Sequence, residues 1–299
     1  MIVFAVDWAG VAQQVVAGLS SGGTYALLAV ALVLIYRATG VVNFAQGEMA
    51  MFATFVAWSL AERMPYWPAF ALTLVLAFAG GVVLHAVVIR PVERASVLTV
   101  AMVTIGLFFL FNGGAFWIWS PEVKSMPSAF STRPIHLGGV AFSIADLGII
   151  AVSLGVVIAL WLFFRFTKLG LGMRAAALNP DSSRLTGIRV GWMLALGWGL
   201  AAVLGAVAGV IAAASFSSFD PTLMQPVLLY AFAAAILGGV DSPLGAVVGG
   251  LALGVLLNLL GTYVSGISDL RTPVALALIL VVLLVRPAGL VGRVAVRRV

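Results

Sequence analysis

Arg165-Phe-Thr-Lys-Leu-Gly-Leu-Gly-Met-Arg-Ala-Ala-Ala-Leu-Asn-Pro-Asp-Ser-Ser-Arg-Leu-Thr-Gly-Ile-Arg-Val190 is the stretch on which the reading of the fold turns. Arg165, Lys168, Arg174, Arg184 and Arg189 stand there against one acid, Asp181. Apolar runs long enough to cross a bilayer lie on both sides. A basic interruption between spans is kept on the cytoplasmic face, because Lys and Arg resist translocation. The same stretch carries the signals of a short helix, about Pro180 to Thr186. Asn179 offers a side-chain oxygen to cap it, and Pro180 fits the first helical position, where an N–H has no helical partner in any case. Asp181 complements the positive dipole end, and Gly187 can close the helix in a left-handed conformation. Such a helix is a rigid knob. Leu185 and Ile188 would fill an apolar groove on another protein, with Arg174 and Arg184 at its rim. A solvated loop obeying the charge rule alone is the other reading.

Composition narrows the class. The chain is 63% hydrophobic and 9% charged, with mean hydropathy +1.18. Soluble domains carry about 25% charged residues, so these values describe an all-α, polytopic membrane protein. The net charge of +6 comes from basic residues between and after apolar runs, which topology explains better than nucleic-acid binding does. With no cysteine, disulfides and thiol chemistry are excluded, and His85 and His136 lack metal-site spacing. The N-terminus has no positive region before its apolar run, so that run is expected to be a retained span.

In chain order, a first helix over about Val11–Ile35 carries Gly18-Leu-Ser-Ser-Gly22, a small-residue face, and ends at Tyr36 and Arg37. Gly40 and Gly47 then bracket Asn43 and Gln46, and Glu48 opens the next apolar segment. A carboxylate near mid-bilayer costs roughly 3 kcal/mol unless paired or wet. This region reads as a helix interrupted inside the membrane, or as a short interfacial loop with Glu48 in water. Glu48 is a pathway carboxylate on one reading; on the other it is a helix-start acid or the partner of an Arg such as Arg37. Further spans are expected near Trp67–Ile89, Val97–Trp119, Asp146–Phe164 and Gly191–Ala214. Asn112 is expected to bond between helices, and His85 to lie at the interface. Ser120–Ala145 reads as an outer loop.

Near the end, Val227–Gly261 breaks at Gly238-Gly-Val-Asp-Ser-Pro-Leu-Gly245, where Asp241 reads as a turn former. A final helix covers about Thr272–Val285. Two passes through the broken region keep the basic tail, with Arg286, Arg293, Arg297 and Arg298, on the same side as the knob. The count is eight or nine embedded segments, two of them interrupted or re-entrant, in one domain over residues 1–299. Paired broken helices point to a transport pathway through Asn43, Gln46, Gly47, Glu48, Gly238, Gly239, Asp241 and Ser242.

No phosphate-binding loop, zinc-protease helix or nucleophile elbow is present in the sequence, so neither catalysis nor nucleotide binding by these motifs is expected. Few ionisable residues are embedded, which leaves little for an ion relay. A nucleotide-hydrolysing partner docked on the knob would supply the energy. An independent ion-coupled carrier or channel, using Glu48 and Asp241, is the rival reading.

Four stretches carry a family resemblance: Gly18-Leu-Ser-Ser-Gly-Gly-Thr-Tyr-Ala-Leu-Leu-Ala, Val41-Val-Asn-Phe-Ala-Gln-Gly-Glu, Met173-Arg-Ala-Ala-Ala-Leu-Asn-Pro through Leu185-Thr-Gly-Ile188, and Ala234-Ala-Ile-Leu-Gly-Gly-Val-Asp-Ser-Pro-Leu-Gly-Ala246. In order and spacing the chain resembles the permeases of branched-chain amino acid importers of the ATP-binding-cassette class, the Liv type, and among them the H-like partner. Gln46 departs from the family pattern, in which His often stands. The resemblance implies a bacterial inner-membrane protein, and the charge pattern, with Arg37 ending the first helix and a basic tail, puts the N-terminus outside and the C-terminus in the cytoplasm. It implies a second permease, two cytoplasmic ATPase subunits that bind the ATP, and a periplasmic binding protein. Arg174, Asn179, Pro180, Arg184, Leu185, Gly187 and Ile188 would form the coupling region, and the broken elements would line the passage. The solute would be a branched-chain amino acid, or a relative such as urea, a short amide or an aromatic acid.

Overall fold

A computed structural model describes residues 7–93, 95–137, 140–216, 218–264, 270–286 and 289–291. The N-terminal half begins with α1 (Trp8–Thr39), α2 (Gln46–Ala61) and α3 (Tyr66–Leu84), the last continued by a π turn at His85–Ile89. It continues with α4 (Val97–Trp119) and a hairpin of β1 (Pro134–Leu137) and β2 (Val140–Ser143). Then follow α5 (Ile144–Phe166), α6 (Lys168–Leu178) and α7 (Pro180–Leu185). The chain closes with α8 (Val190–Phe216), α9 (Met224–Gly238), α10 (Pro243–Tyr263) and α11 (Arg271–Val285).

Among the described residues, 6 helices are long and apolar enough to span a membrane. These are α1, α3 with its π turn, α4, α5, α8 and α10. The shorter α2, α9 and α11 bring the embedded segments to the upper end of the expected range. The 16 residues of α2 rise about 24 Å, less than the ~30 Å hydrocarbon core.

Two helices form the centre. α1 and α8 are buried for most of their length, whereas α3, α4 and α5 leave long apolar faces uncovered. Small residues make that centre possible, because without a water-driven hydrophobic effect helices associate through close packing. Gly18 and Gly22 of α1 lie against Val255 and Gly250 of α10, and a Cβ on Gly250 would stand 2.6 Å from the Ala26 Cα. The register falls on α10 as it rises on α1, so the two run antiparallel. Likewise Gly205 and Gly209 of α8 lie on Ala50 and Thr54 of α2.

α9 and α10 form the expected broken pair, antiparallel and in contact where Gly238 meets Gly245. The segment after α11 folds onto this turn. The Leu290 N–H donates to the Leu237 carbonyl (2.7 Å) and the Val291 N–H to that of Gly238 (3.1 Å), satisfying carbonyls that end α9. Arg286 therefore lies at the end of the molecule that also holds this turn. Arg94, Arg293, Arg297 and Arg298 lie outside the described residues.

The structure corrects several expectations. α1 runs a turn further at each end and stops only where Gly40 takes φ +71°. The loop expected outside holds a β-hairpin, paired from Pro134↔Ser143 to Leu137↔Val140. The basic stretch is two helices, since Lys168–Leu178 is helical and capped by Thr167, whose Oγ1 accepts from the Gly170 N–H (2.9 Å). His85 is buried in the π turn, 3.8 Å from Glu93 and facing the Trp198 ring of α8.

Candidate functional site

The basic end is built around α7. The Asn179 side chain accepts from the Ser182 N–H at 3.0 Å, and Pro180 occupies the first turn. At the other end the Gly187 N–H donates to Arg184 and the Ile188 N–H to Ser183, with Gly187 at φ +83°. This paired closure needs a left-handed residue, which glycine adopts without a Cβ penalty. Six residues cannot form a stable helix alone; here both ends are locked and buried Ser183 anchors the inner face.

Two leucines stand bare on the outer face of this region. Leu185 is 90% exposed and Leu178 is 80% exposed. Ile188, expected to project beside Leu185, is instead half-buried, because its backbone is held in the helix closure. Leu178, which sequence reasoning missed, takes its place. Leu178 precedes the cap, where an apolar residue usually packs on the fourth helical position. That position is Ser183 here, which leaves Leu178 nothing to cover it; this mismatch was the available signal. Arg184 pairs with Asp181 at 3.0 Å on the exposed face, and Arg174 is half-buried behind it.

The inner face meets the first break. Pro180 and Arg184 share a cavity of about 250 Å³ with Thr39, Val41, Ile89 and Glu93. α7 therefore faces both the start of the α1–α2 break and the end of the π turn.

The first break is a buried polar cluster. The Asn43 Oδ1 accepts from the Ala45 N–H (3.1 Å), and its Nδ2 donates to the Gln46 Oε1 (3.2 Å). The Gln46 Nε2 donates across to the Ala201 carbonyl of α8 (3.0 Å), and Gly47 packs on Leu228 of α9. Glu48 is 1% exposed, which rules out an acid in water at an interfacial loop. Its Oε2 accepts from the Asn112 Nδ2 of α4 (3.1 Å), which also donates to the Pro221 carbonyl (3.2 Å). Gln225 stands beside the same carboxylate, while Oε1 lacks a hydrogen bond of good geometry. The Arg37 partnership is thus overturned: the carboxylate ties α2 to α4 and to the start of α9. Asn112 is the interhelical bond that was expected.

The second break does not join this cluster. Phe44 stacks obliquely on Phe232 of α9, 6.0 Å between centroids. Gly238 follows six residues later, about 9 Å further along the helix. Gly238, Gly239, Asp241 and Ser242 form a tight turn at the basic end. Ser242 caps α10 by accepting from the Gly245 N–H (3.0 Å), and Asp241 is exposed. Gly239, at φ +106°, makes the reversal possible.

A family described as the permease component of the branched-chain amino acid transport system matches residues 14–285. The chain is 31% identical to the high-affinity branched-chain amino acid permease LivH of Escherichia coli, over 96% of this chain and 97% of that one. Identity to LivH of Salmonella typhimurium is 32% over the same shares, and to the high-affinity permease BraD of Pseudomonas aeruginosa it is 31%, again over 96% and 97%.

Proposed function

The chain belongs to the branched-chain amino acid transport permease family, and from that premise we propose that it moves branched-chain amino acids, or small solutes close to them, into the cytoplasm by alternating access. It is a multi-pass membrane permease of an importer of the ATP-binding-cassette class, a class that works with ATPases and a binding protein. Two ATPase subunits that bind the ATP, a second permease and a periplasmic binding protein complete the assembly on this reading. The independent-carrier reading is set aside, since the relatives are permease components.

Charge supports the orientation. Arg37, Arg90, Arg165, Lys168, Arg174, Arg184, Arg189 and Arg286 gather at the end that holds α7. Glu93, Asp181 and Asp241 share that end, whereas at the other Asp7, Glu62, Glu122, Asp146 and Asp220 outnumber Arg63, Lys124, Arg133 and Arg271. Retention of positive charge inside supports an orientation with α7 and Arg286 toward the cytoplasm of a bacterial inner membrane and the start of α1 outside.

The observation that carries the mechanism is α7: a locked helix with bare leucines outward and the α1–α2 break inward. Leu178 and Leu185 seat in an apolar groove of an ATPase, with Arg174 and Arg184 at the rim. ATP binding moves the groove. The knob passes that displacement to α5 and α8 through their α6 and Gly187 connections, and to the break through the face lined by Pro180 and Arg184. Asn43, Gln46, Gly47 and Glu48 then change their packing on α9 and α4, opening the passage, whose cytoplasmic rim is Gly238–Ser242. Replacing Arg184 and Leu185 by Asp tests this. Uptake is abolished and ATP hydrolysis loses its response to loaded binding protein, while the chain still accumulates folded in the membrane. Unchanged uptake overturns the coupling role.

A further inference from the structure

At the end opposite α7 a cavity of about 320 Å³ lies between α1, α5 and α8, beneath residues 128–132. Its volume is at the lower limit of small-molecule sites, ~300–1,000 Å³, and far above the ~10–15 Å³ one water requires. Membrane helices are usually packed to exclude such space, and here the two most buried helices leave it open.

Its walls are chemically divided. Ser20 and Thr24 of α1 are each 95% buried, at 5% relative exposure, yet neither hydroxyl makes a hydrogen bond among the described residues. Helical Ser and Thr ordinarily bond back to the preceding turn, as neighbouring Ser21 does to Ala17 at 3.2 Å. Half-buried Tyr66 adds a third hydroxyl to the wall. Asp146 contributes a carboxylate whose Oδ2 is held by the Ser143 N–H (3.1 Å) and hydroxyl (2.7 Å), leaving Oδ1 without a hydrogen bond among the described residues. Ile149 and Ile211 supply an apolar wall. These hydroxyls open onto the cavity and are free to bind water or a polar solute there.

A roof closes over this space. Phe130 lies on Gly148 of α5, where a Cβ would come within 2.5 Å of the ring, and meets Trp67 of α3 edge-on, 6.2 Å between centroids.

The geometry points to a binding site for a small zwitterionic amino acid inside this single chain, on its outer side. An ammonium group pairs with the Asp146 Oδ1, a carboxylate takes the Ser20, Thr24 and Tyr66 hydroxyls, and an aliphatic side chain lies on Ile149 and Ile211. The assignment of the outer side and of the solute class rests on the permease reading. The site lies outside the cluster of Asn43–Glu48, so it is a holding position rather than the gate.

The test uses the assembled importer in nanodiscs, without its binding protein, and equilibrium binding of radiolabelled L-leucine. Saturable binding at millimolar concentration is expected, competed by L-isoleucine and not by N-acetyl-leucinamide, which lacks both charges. Ser20→Ala with Thr24→Val weakens it about 10- to 30-fold, as expected for two lost hydrogen bonds. Tyr66→Phe, which keeps the ring and removes one oxygen, weakens it less and guards against a folding defect. Absence of saturable binding up to about 10 mM, or binding indifferent to both variants, overturns the site. Stimulation of ATP hydrolysis by loaded binding protein is measured on the same discs. Stimulation without leucine binding defeats the cavity alone, whereas its absence in the wild type defeats the permease reading.

Discussion

The tie between Glu48 and Asn112 gives the sharpest energetic prediction. Asn112→Ala removes the donor 3.1 Å from the Glu48 Oε2, and Oε1 already lacks a bond of good geometry. A hydrogen bond to a charged group contributes about 1.5–3 kcal/mol, and an unpaired carboxylate in a bilayer costs roughly 3 kcal/mol by insertion scales. The single change is therefore expected to cost about 2–3 kcal/mol. In a Glu48→Gln background the same change removes only a neutral bond, about 1 kcal/mol. The Pro221 carbonyl loses its 3.2 Å donor in both backgrounds, so that loss cancels. The coupling energy is then about 1–2 kcal/mol, within the range found for residues in contact. Reversible unfolding in mixed micelles across the four variants measures it. Equal costs of Asn112→Ala in the two backgrounds would refute a charged, buried tie. Uptake by Glu48→Gln separates structure from mechanism: stable protein with wild-type kinetics would leave Glu48 a structural role only.

Two further outcomes follow from packing. Gly250→Leu inserts a side chain where a Cβ already stands 2.6 Å from the Ala26 Cα, so α1 and α10 must part. The expected cost is about 3 kcal/mol or more, seen as loss of monodisperse protein, whereas Gly80→Leu, which meets nothing within 4 Å, is tolerated. Leu178→Ala removes an exposed side chain, so the isolated chain keeps its stability. If Leu178 is buried by an ATPase, association weakens by about 2 kcal/mol, roughly 30-fold, in a pull-down titration.

What the sequence disclosed divides along physical lines. Spans were legible because a bilayer imposes a length criterion on apolar runs, and Val97–Trp119 was read to the residue. The capped α7 was legible because Asn179, Pro180 and Gly187 each act locally. The glycine seams were visible as spacing, but not their partners: nothing in Gly18-x-x-x-Gly22 names Gly250. Burial of Glu48 and His85 was equally hidden, since both depend on helices far away in the chain. The helix Lys168–Leu178 escaped because a short, amphipathic, glycine-containing segment looks like loop when judged by hydropathy. The hairpin at Pro134–Ser143 escaped for a similar reason: four-residue strands leave almost no period to detect. Both failures concern structure outside the hydrocarbon, where the length criterion is silent.

The distribution of stiffness argues for where motion enters. α1 and α10 are joined backbone to backbone along Gly18, Gly22, Gly250 and Gly254, and such a seam cannot slide without a clash. α8 is similarly seated on α2 through Gly205 and Gly209. The weak points are the polar break at Gly40–Ala45, the π turn at His85–Ile89 and the Gly238–Ser242 reversal, where regular helical bonding is interrupted. A π turn inserts a residue into the i→i−4 ladder, and a left-handed glycine ends it, so each can change angle at lower cost than a continuous helix. Two of these points, the break and the π turn, border the cavity that also receives the inner face of α7. A displacement of α7 therefore reaches compliant backbone before it reaches the glycine seams. It would reorient α2 and the lower part of α3 while leaving α1 and α10 as a fixed frame, and Glu48, on α2, is carried with the moving part.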